Sequence, residues 1–330
     1  MGHLLSLLRY NRSVPAELKQ LHKQYKDTYL ITKHYNVLNI NPSATSTDTH
    51  STCSTVRTAT SSDDAVLPGI RANSATIAQQ VNKQILAIQS NYIDEATGKV
   101  QYINISKSSE FTEYINTTRA ELIKINLYEL TELQCKVLLL NIYNALVIHG
   151  NIVLGTPTIT QLQSFYSTTA YEFMDSTILS LDDIEHGVLR NNRIHPITKK
   201  SRFKSNDPRI KLCVPVDARI HFALNCGANS CPPIRVYRDD NIDRALNLAT
   251  RAFIKQDSNL HVDMKSNTIT LSKLFDWYSV DFGSTNDEVL QFIVRQLDGN
   301  IQADQIEQLI ASNKYKIKYS TYDWDLNINH

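Results

Sequence analysis

Residues 133–149 read LQCKVLLLNIYNALVIH, and this apolar stretch decides how the rest of the chain is arranged. A helix built from it has apolar side chains on nearly every side, which is typical of a helix buried in the middle of a fold. Gly150 follows directly and is placed to end the helix. The segment therefore predicts a central buried helix against which other elements pack.

Two amides interrupt the apolar surface of this helix. Asn141 and Asn144 are three residues apart and share a face. A buried amide without hydrogen-bond partners costs about 1–3 kcal/mol, so both side chains need partners. Two interpretations stay open: the amides brace a neighbouring loop, or they position a catalytic group.

The bulk composition indicates an ordinary globular protein without a strong electrostatic preference. Of 330 residues, 42% are hydrophobic and 20% are charged, and 34 Lys and Arg against 33 Asp and Glu give a formal net charge of +1. That balance argues against a nucleic-acid partner or an anionic membrane surface. We therefore expect the partner to be a protein or a small molecule of unknown identity.

Targeting and redox signals point to the cell interior. The leucines up to Leu8 are followed at once by Arg9 and Arg12, so this apolar run is too short for a secretion signal or a membrane span. Nowhere else do about 18 uncharged apolar residues run together, and we expect no membrane span. Five cysteines are sparse and odd in number, unlike a secreted disulfide scaffold, which predicts a reducing, cytoplasmic location.

The chain divides at a stretch of low complexity. Residues 15–29 have a helical pattern, and we expect residues 1–40 to form a short helical N-terminal segment. Residues 41–64 read NPSATSTDTHSTCSTVRTATSSDD, which offers almost nothing to bury. Residues 41–73 are therefore predicted to be a Ser/Thr-rich flexible linker, and residues 74–330 the globular domain.

Cap residues and periodicity predict further elements. Ser74 can cap a helix that runs to about Tyr92, and Ser108 can cap the next helix. The later part of the chain predicts helices over 239–254, 274–278 (capped by Ser272) and 286–297, a hairpin-like region before Thr270, and an edge strand over 314–319 with lysines on its exposed side.

A polar face follows Ser180, where Ser180 and Asp183 resemble a capping box at the start of a helix. His186 lies four residues after Asp182 and four before Arg190, so carboxylate, imidazole and guanidinium share one face. His186 either bridges Asp182 and Arg190 as a surface network or serves a site.

Residues 219–226, RIHFALNC, read as a β-strand because apolar and other residues alternate. Cys226 falls on the face of Ile220, and His221 falls on the opposite face. This parity predicts that Cys226 and His221 cannot pair directly. Gly227 breaks the strand.

Several long motifs recur in an order that resembles the domain-of-unknown-function 547 family. They are NIYNALVIHG (141–150), SLDDIEHGVLR (180–190), DPRI (207–210), RIHFALNCGANSCPPIRVY (219–237), LSKLFDWYSVDFG (271–283) and YDWDLN (322–327). The resemblance covers about residues 75–327. It implies no defined activity, because none defines the family.

The sequence supplies the residue types of a thiol enzyme. Cys226 is the candidate nucleophile and His186 its candidate base, because such an enzyme needs a thiolate and a group that moves its proton. The remaining candidates are Glu185 or Asp182 to orient the base, Asn225 or Asn144 to assist the oxyanion, and His221 and Cys231 nearby.

Other roles for these residues stay open. Cys226 can be an inert core thiol, Cys226 and Cys231 can form a disulfide in a turn, or the pair with His221 and His186 can hold zinc. Arg190, Arg209 and Arg219 could bind an anionic ligand. We favour the alternative that they form ion pairs with Asp182, Asp207 and Asp217.

We predict an α+β fold that is helix-rich, with the central helix packed on a small sheet containing strand 219–226, reminiscent of papain-like or transglutaminase-like enzymes. No phosphate loop, dinucleotide glycine pattern or metalloprotease motif is present, and no cofactor is predicted. The predicted function is a cysteine-dependent hydrolase or acyl-transfer enzyme. The alternative is a non-catalytic interaction or scaffold domain in which the same residues form a buried polar network.

Overall fold

The central helix forms as predicted and extends beyond its predicted end. The computed structural model of the protein describes residues 14–25, 28–40, 68–94 and 96–329, and the helix spans Glu132–Val153. It begins in a capping box, where the Thr131 hydroxyl accepts from the Gln134 backbone N–H. Every residue from Val137 to Val153 is buried.

Gly150 does not end this helix, contrary to the prediction, because the helix continues to Val153. A Cβ at position 150 would lie 2.8 Å from the ring of Phe165 and 2.9 Å from the methyl group of Thr169. The glycine therefore serves close packing between elements rather than termination.

Within the described part of the chain, this helix alone is long and apolar enough to cross a membrane. The most apolar 18-residue window of the helix is 94% buried inside the protein. Burial of that extent is also found in the core helix of a globular domain.

About 54% of the structure is helical and two small mixed sheets accompany the helices, so the α+β class is confirmed. The α-helices are α1 (Ala16–Leu21), α2 (Pro68–Tyr92), α3 (Tyr102–Lys107), α4 (Ser109–Glu113), α5 (Arg119–Leu122), α6 (Glu132–Val153), α7 (Leu162–Thr168), α8 (Ile242–Ile254), α9 (Lys273–Trp277), α10 (Ser279–Phe282), α11 (Asn286–Leu297) and α12 (Ile301–Ser312). Two π-helical segments span Tyr114–Thr118 and Asp183–Leu189, and short 3₁₀ turns include Pro208–Leu212 and Ala218–Phe222.

The first sheet joins the N-terminal residues to the domain. Its strands are β1 (Leu30–Ile31), β2 (Asn36–Val37), β3 (Thr169–Phe173) and β4 (Thr177–Ser180), in that order. β2 runs parallel to β3, while β1 with β2 and β3 with β4 are antiparallel. Leu18, Leu21 and Leu38 lie in the same hydrophobic core as α6. The predicted linker at 41–73 lies outside the described residues up to 67, and α2 begins at Pro68 rather than after Ser74.

The second sheet confirms the predicted hairpin and edge strand. β5 (Leu260–Asp263) and β6 (Thr268–Leu271) are antiparallel, and β7 (Lys316–Tyr319) joins β6 in parallel at the edge. Lys316 and Lys318 are exposed, as the alternation predicted. α11 has its predicted bounds, and the Ser272 and Ser108 caps are present.

Residues 219–226 do not form a strand, which corrects the prediction. Ala218–Phe222 is a 3₁₀ helix that Asp217 caps by accepting from the Arg219 backbone N–H at 3.1 Å. His221 and Ala223 are as buried as their apolar neighbours, so the alternation in the sequence did not distinguish a solvent-exposed face from a buried one. The predicted opposite placement of His221 and Cys226 therefore fails.

The polar start at Ser180 is confirmed as a capping arrangement. The Asp183 carboxylate accepts from both the backbone N–H and the hydroxyl of Ser180, each at 3.0 Å, and the Asp183 N–H donates to that hydroxyl. The Asp183–Leu189 segment that follows is π-helical and wholly buried. It presents its polar side chains to the interior of the protein rather than to solvent.

Candidate functional site

A cavity of about 530 Å³ brings together residues that lie far apart in the chain. Six of the eight residues named as candidates for the site line it: Asp182, Glu185, His186, His221, Cys226 and Cys231. Its wall includes residues of both hydrophobic cores, with Tyr143 and Leu224 from the core around α6 and Leu274 and Tyr322 from the core around the second sheet. A mostly apolar cavity with a few convergent polar groups is the usual form of a small-molecule site.

Two thiols and a phenol meet at one part of the cavity wall. The sulfur atoms of Cys226 and Cys231 are 2.8 Å apart, and both residues are thiols rather than the two halves of a disulfide. The Tyr322 hydroxyl lies 3.2 Å from the Cys231 sulfur and 3.5 Å from that of Cys226. Burial, with the adjacent Cys226, raises the pKa of Cys231 well above its ordinary value. Cys231 therefore stays protonated near neutral pH.

The Cys226 segment is braced by amides. Asn144 donates to the Ala223 carbonyl at 3.0 Å and accepts from the Asn225 N–H at 2.9 Å. Asn225 in turn accepts from the Gly227 N–H and donates to the Pro232 carbonyl. Of the two interpretations of Asn144, the structure places it as a brace of the neighbouring segment. That segment leads directly into Cys226.

Asn141 repeats this pattern one turn earlier on α6. Its side chain donates to the Tyr237 carbonyl at 2.8 Å and accepts from the Tyr237 N–H at 2.9 Å. Neither Asn144 nor Asn225, the candidates for an oxyanion role, lies in the cavity wall. Both amides are engaged with buried backbone.

His221 is held by a carboxylate that the sequence reading did not single out. Its Nε2 lies 2.8 Å from an oxygen of Asp281, which also forms a two-pronged ion pair with Arg190 and accepts from Arg193. Burial acts to raise the pKa of Asp281, but the hydrogen bonds from His221 and Arg190 outweigh it and hold the pKa below its ordinary value. An ionised carboxylate only accepts, so Nε2 of His221 carries the proton.

The tautomer of His221 leaves Nδ1 with a lone pair. Burial lowers the pKa of His221 more than Asp281 raises it, so the ring is neutral at pH 7. Tyr278 stacks on the imidazole with ring centroids 3.8 Å apart, which fixes the plane of the ring. A neutral imidazole oriented by a buried carboxylate has the form of a general base.

Arg190 fixes His186 in the same tautomer as His221, but it engages the lone pair on Nδ1 of His186. A guanidinium N–H of Arg190 lies 3.0 Å from Nδ1 of His186, and because arginine can only donate, that nitrogen must accept. Burial lowers the pKa of His186 well below its ordinary value, so the ring is neutral and Nε2 carries its proton. The predicted contact of His186 with Arg190 is therefore present, and it occupies the imidazole lone pair.

The arginine pairs follow the sequence prediction in two cases of three. Arg209 pairs with Asp207 at 2.8 Å, and Arg219 pairs with Asp217 at 2.7 Å. Arg190, which is fully buried, pairs with Asp281 instead of Asp182. The predicted pairing failed there because the guanidinium reaches across to α10, 91 residues away in the chain.

Asp182, His186 and His195 form the one described cluster in which ligand atoms lie close enough to hold a metal, all within 4.8 Å of one another. Metal-binding imidazoles normally donate their second N–H outward. Here Nδ1 of His195 accepts from the Ile197 and Thr198 backbone N–H groups, and Nδ1 of His186 accepts from Arg190. The nitrogens left to bind a metal therefore carry the protons, and the donor set does not fit one.

Two carboxyl groups in the cavity differ in their surroundings. Glu185 accepts from the hydroxyls of Tyr278, at 2.6 Å, and Tyr143, at 3.0 Å. Burial raises the pKa of Asp182 to about 7, against the lowering effect of Arg202. Asp182 is therefore partly protonated at neutral pH.

An aromatic wall completes the cavity. Trp277, Tyr322 and Trp324 pack with ring centroids 4.7–5.6 Å apart, and all three line the cavity. These residues belong to the motifs at 271–283 and 322–327, for which no role in the site was predicted. His195, Asp281 and these aromatic residues were not predicted. The clustering of Trp, Tyr and Asp in two short motifs was a signal for all of them except His195, which lies in neither motif.

Comparison with known proteins gives a family and no activity. Residues 127–254 match the family model described as "Protein of unknown function, DUF547". The match includes His186, His221 and Cys226, whereas Asp281 and Tyr322 lie beyond it. Neither the curated proteins nor the solved structures include a match to this chain. The match over residues 127–254 supports the resemblance to the domain of unknown function 547 family that the sequence motifs indicated.

Proposed function

We propose that this protein is a cysteine-dependent hydrolase or acyl-transfer enzyme in which Cys226 is the nucleophile and His221 is its base. The observation that supports this most is that Cys226 and the His221 ring, which Asp281 orients, line one cavity. A thiol nucleophile, a neutral imidazole and a buried carboxylate are the parts that such chemistry requires. His221 replaces His186 as the base because Arg190 occupies the lone pair of His186.

The reaction would proceed in two steps. Nδ1 of His221 takes the proton of the Cys226 thiol as the sulfur attacks the acyl carbon of the substrate. The leaving group departs with that proton, and a thioester to Cys226 remains. Water then attacks the thioester in hydrolysis, or an alcohol or amine attacks it in acyl transfer, and the thiol is restored.

Charge on the acyl oxygen needs a donor during both steps. Burial raises the pKa of Tyr322 well above its ordinary value, together with the neighbouring Cys226, so its hydroxyl stays protonated. That hydroxyl lies 3.5 Å from the Cys226 sulfur, within reach of an oxygen on the attacked carbon. We assign Tyr322 as the oxyanion donor. A Cys226 side chain in the thiol form also agrees with the expected reducing cytoplasm.

A second candidate is a non-catalytic interaction or scaffold domain. Its support is the use of Asn141 and Asn144, each fully buried, to hold backbone segments in place. In that case Cys226 would be a structural thiol. The two functions differ in whether the thiol reacts with an acyl donor.

The test is hydrolysis of 4-nitrophenyl esters of graded acyl length by the full chain and by two cysteine variants. Cys226→Ala should abolish turnover. Cys213→Ala is the matched control, because Cys213 is a half-buried thiol that donates to the Gly187 carbonyl and does not line the cavity. Equal turnover by wild type and Cys226→Ala, or none by wild type on any ester, would favour the scaffold function.

A further inference from the structure

Asp182, His186 and His195 line one part of the cavity, and the imidazole N–H groups of the two histidines are available to a ligand there. In both rings Nδ1 accepts from an N–H group, so Nε2 is the protonated nitrogen. Among the described residues, no hydrogen-bond partner accepts from either Nε2, and a carboxylate oxygen lies 3.9 Å from each. Both side chains are more than nine-tenths buried, with 5% and 7% exposed.

Neither Nε2 is among the fully enclosed, unpartnered polar atoms of the described residues, so water or a ligand in the cavity can accept from it. The rings of His186 and His195 lie 3.9 Å apart between centroids, so one oxygen atom of a ligand can accept from both. Both histidines line the cavity, which gives such an oxygen access to them.

The surroundings favour an uncharged ligand group. Glu185 and Asp182 lie beside the two imidazoles, and an anion placed there would be repelled by the Glu185 carboxylate and by ionised Asp182. Oδ1 of Asp182 can accept a further hydrogen bond, since Gln163 donates to Oδ2. A group with one accepting oxygen and one donating N–H matches this arrangement, and a carboxamide carries both on one carbon atom.

We propose that the Asp182, His186 and His195 subsite binds a carboxamide, with the carbonyl oxygen at the two Nε2–H groups and the amide N–H at Asp182. The apolar remainder of the ligand would lie along the aromatic wall of Trp277, Tyr322 and Trp324. As a statement about the substrate class, this rests on the proposed function. As a statement about binding, it does not require that Cys226 react.

The test measures binding of three probes with the same ring by calorimetry, with Cys226→Ala protein so that no chemistry intervenes. The probes are benzamide, acetophenone, which lacks the N–H, and benzoate, which is an anion. Benzamide should bind about fivefold more tightly than acetophenone, the value of one hydrogen bond, and more tightly still than benzoate. Benzoate binding as tightly as benzamide would overturn the carboxamide assignment.

His195→Asn removes the Nε2 donor while its side-chain oxygen can still accept from the Ile197 and Thr198 N–H groups. It should weaken benzamide about fivefold with an unchanged melting temperature. The control is His261→Asn at an exposed position of β5, which should change nothing.

Asp182→Asn should strengthen benzoate binding because it removes the repelling charge. Unchanged affinities in both His195→Asn and Asp182→Asn would overturn the subsite. Loss of ester turnover in Cys226→Ala concerns the nucleophile alone, so failure of one proposal is distinguishable from failure of the other.

Discussion

Replacing Asn144 with alanine should destabilise the protein and loosen the segment that leads into Cys226. The amide makes two hydrogen bonds to backbone, with Ala223 at 3.0 Å and Asn225 at 2.9 Å. Ala223 is 0% exposed and Asn225 is 1% exposed, so water cannot replace the lost partner. Each unsatisfied buried group costs about 1–3 kcal/mol, and the variant should lose about 2–6 kcal/mol of unfolding free energy.

Asn141→Ala is the matched control for this prediction. It removes the same two kinds of hydrogen bond from the same helix, both to Tyr237, and its side chain is equally buried. Urea unfolding should therefore show a similar loss for both variants. Alkylation of Cys226 by iodoacetamide, followed by mass spectrometry, should accelerate in Asn144→Ala and stay near the wild-type rate in Asn141→Ala.

Two results would refute this reasoning. The first is a loss below about 1 kcal/mol in Asn144→Ala, which would mean that the two backbone groups find other partners. The second is an equal change of Cys226 reactivity in both variants, which would mean that Asn144 stabilises the fold without bracing the segment before Cys226.

Three further predictions concern the surroundings of the cavity. Asp281→Ala should lower the unfolding free energy by about 3–5 kcal/mol in urea titrations, because it leaves the buried Arg190 charge unpaired; a change within 1 kcal/mol would contradict the ion pair. Gly187→Ala should cost about 1–3 kcal/mol, because its Cβ would overlap the buried Phe203 ring, and thermal unfolding measures this; an unchanged melting temperature would show that the ring moves freely. Burial raises the pKa of Asp182 from 3.8 to about 7, so protonated Asp182 contributes to the unfolding free energy below pH 3.8, and this contribution is lost as the pH rises through 7. Asp182→Asn should therefore flatten the dependence of the unfolding free energy on pH between these values. An identical profile for wild type and Asp182→Asn would contradict the shift.

The elements that the sequence predicted well are those with a local signal. The run of apolar residues in α6, the caps Ser108 and Ser272, and the alternating lysines of β7 each depend on neighbours a few residues away. The alternation in residues 219–226 misled because both of its faces are buried, so it carried no information about which face meets solvent.

The residue types of the candidate site could be predicted from the sequence, but the hydrogen-bond partners of those residues could not. Cys226, His221 and His186 were identified from chemistry alone, and the cavity brings them together. Their hydrogen-bond partners could not be predicted, because Asp281 is 60 residues from His221 in the chain and the tautomer of each histidine depends on such distant groups. Our proposal that His221 rather than His186 is the base follows from those partners.

The most direct test of the central claim is to trap an acyl-enzyme. Wild-type protein and Cys226→Ala are mixed with a 4-nitrophenyl ester, quenched in acid within seconds, and digested for mass spectrometry that locates the acyl group. We predict one thioester, on Cys226, that forms more slowly in His221→Asn and is absent in Cys226→Ala. An acyl group found only on exposed lysines or on Cys213, or no adduct with any ester, would contradict a cysteine-dependent acyl enzyme.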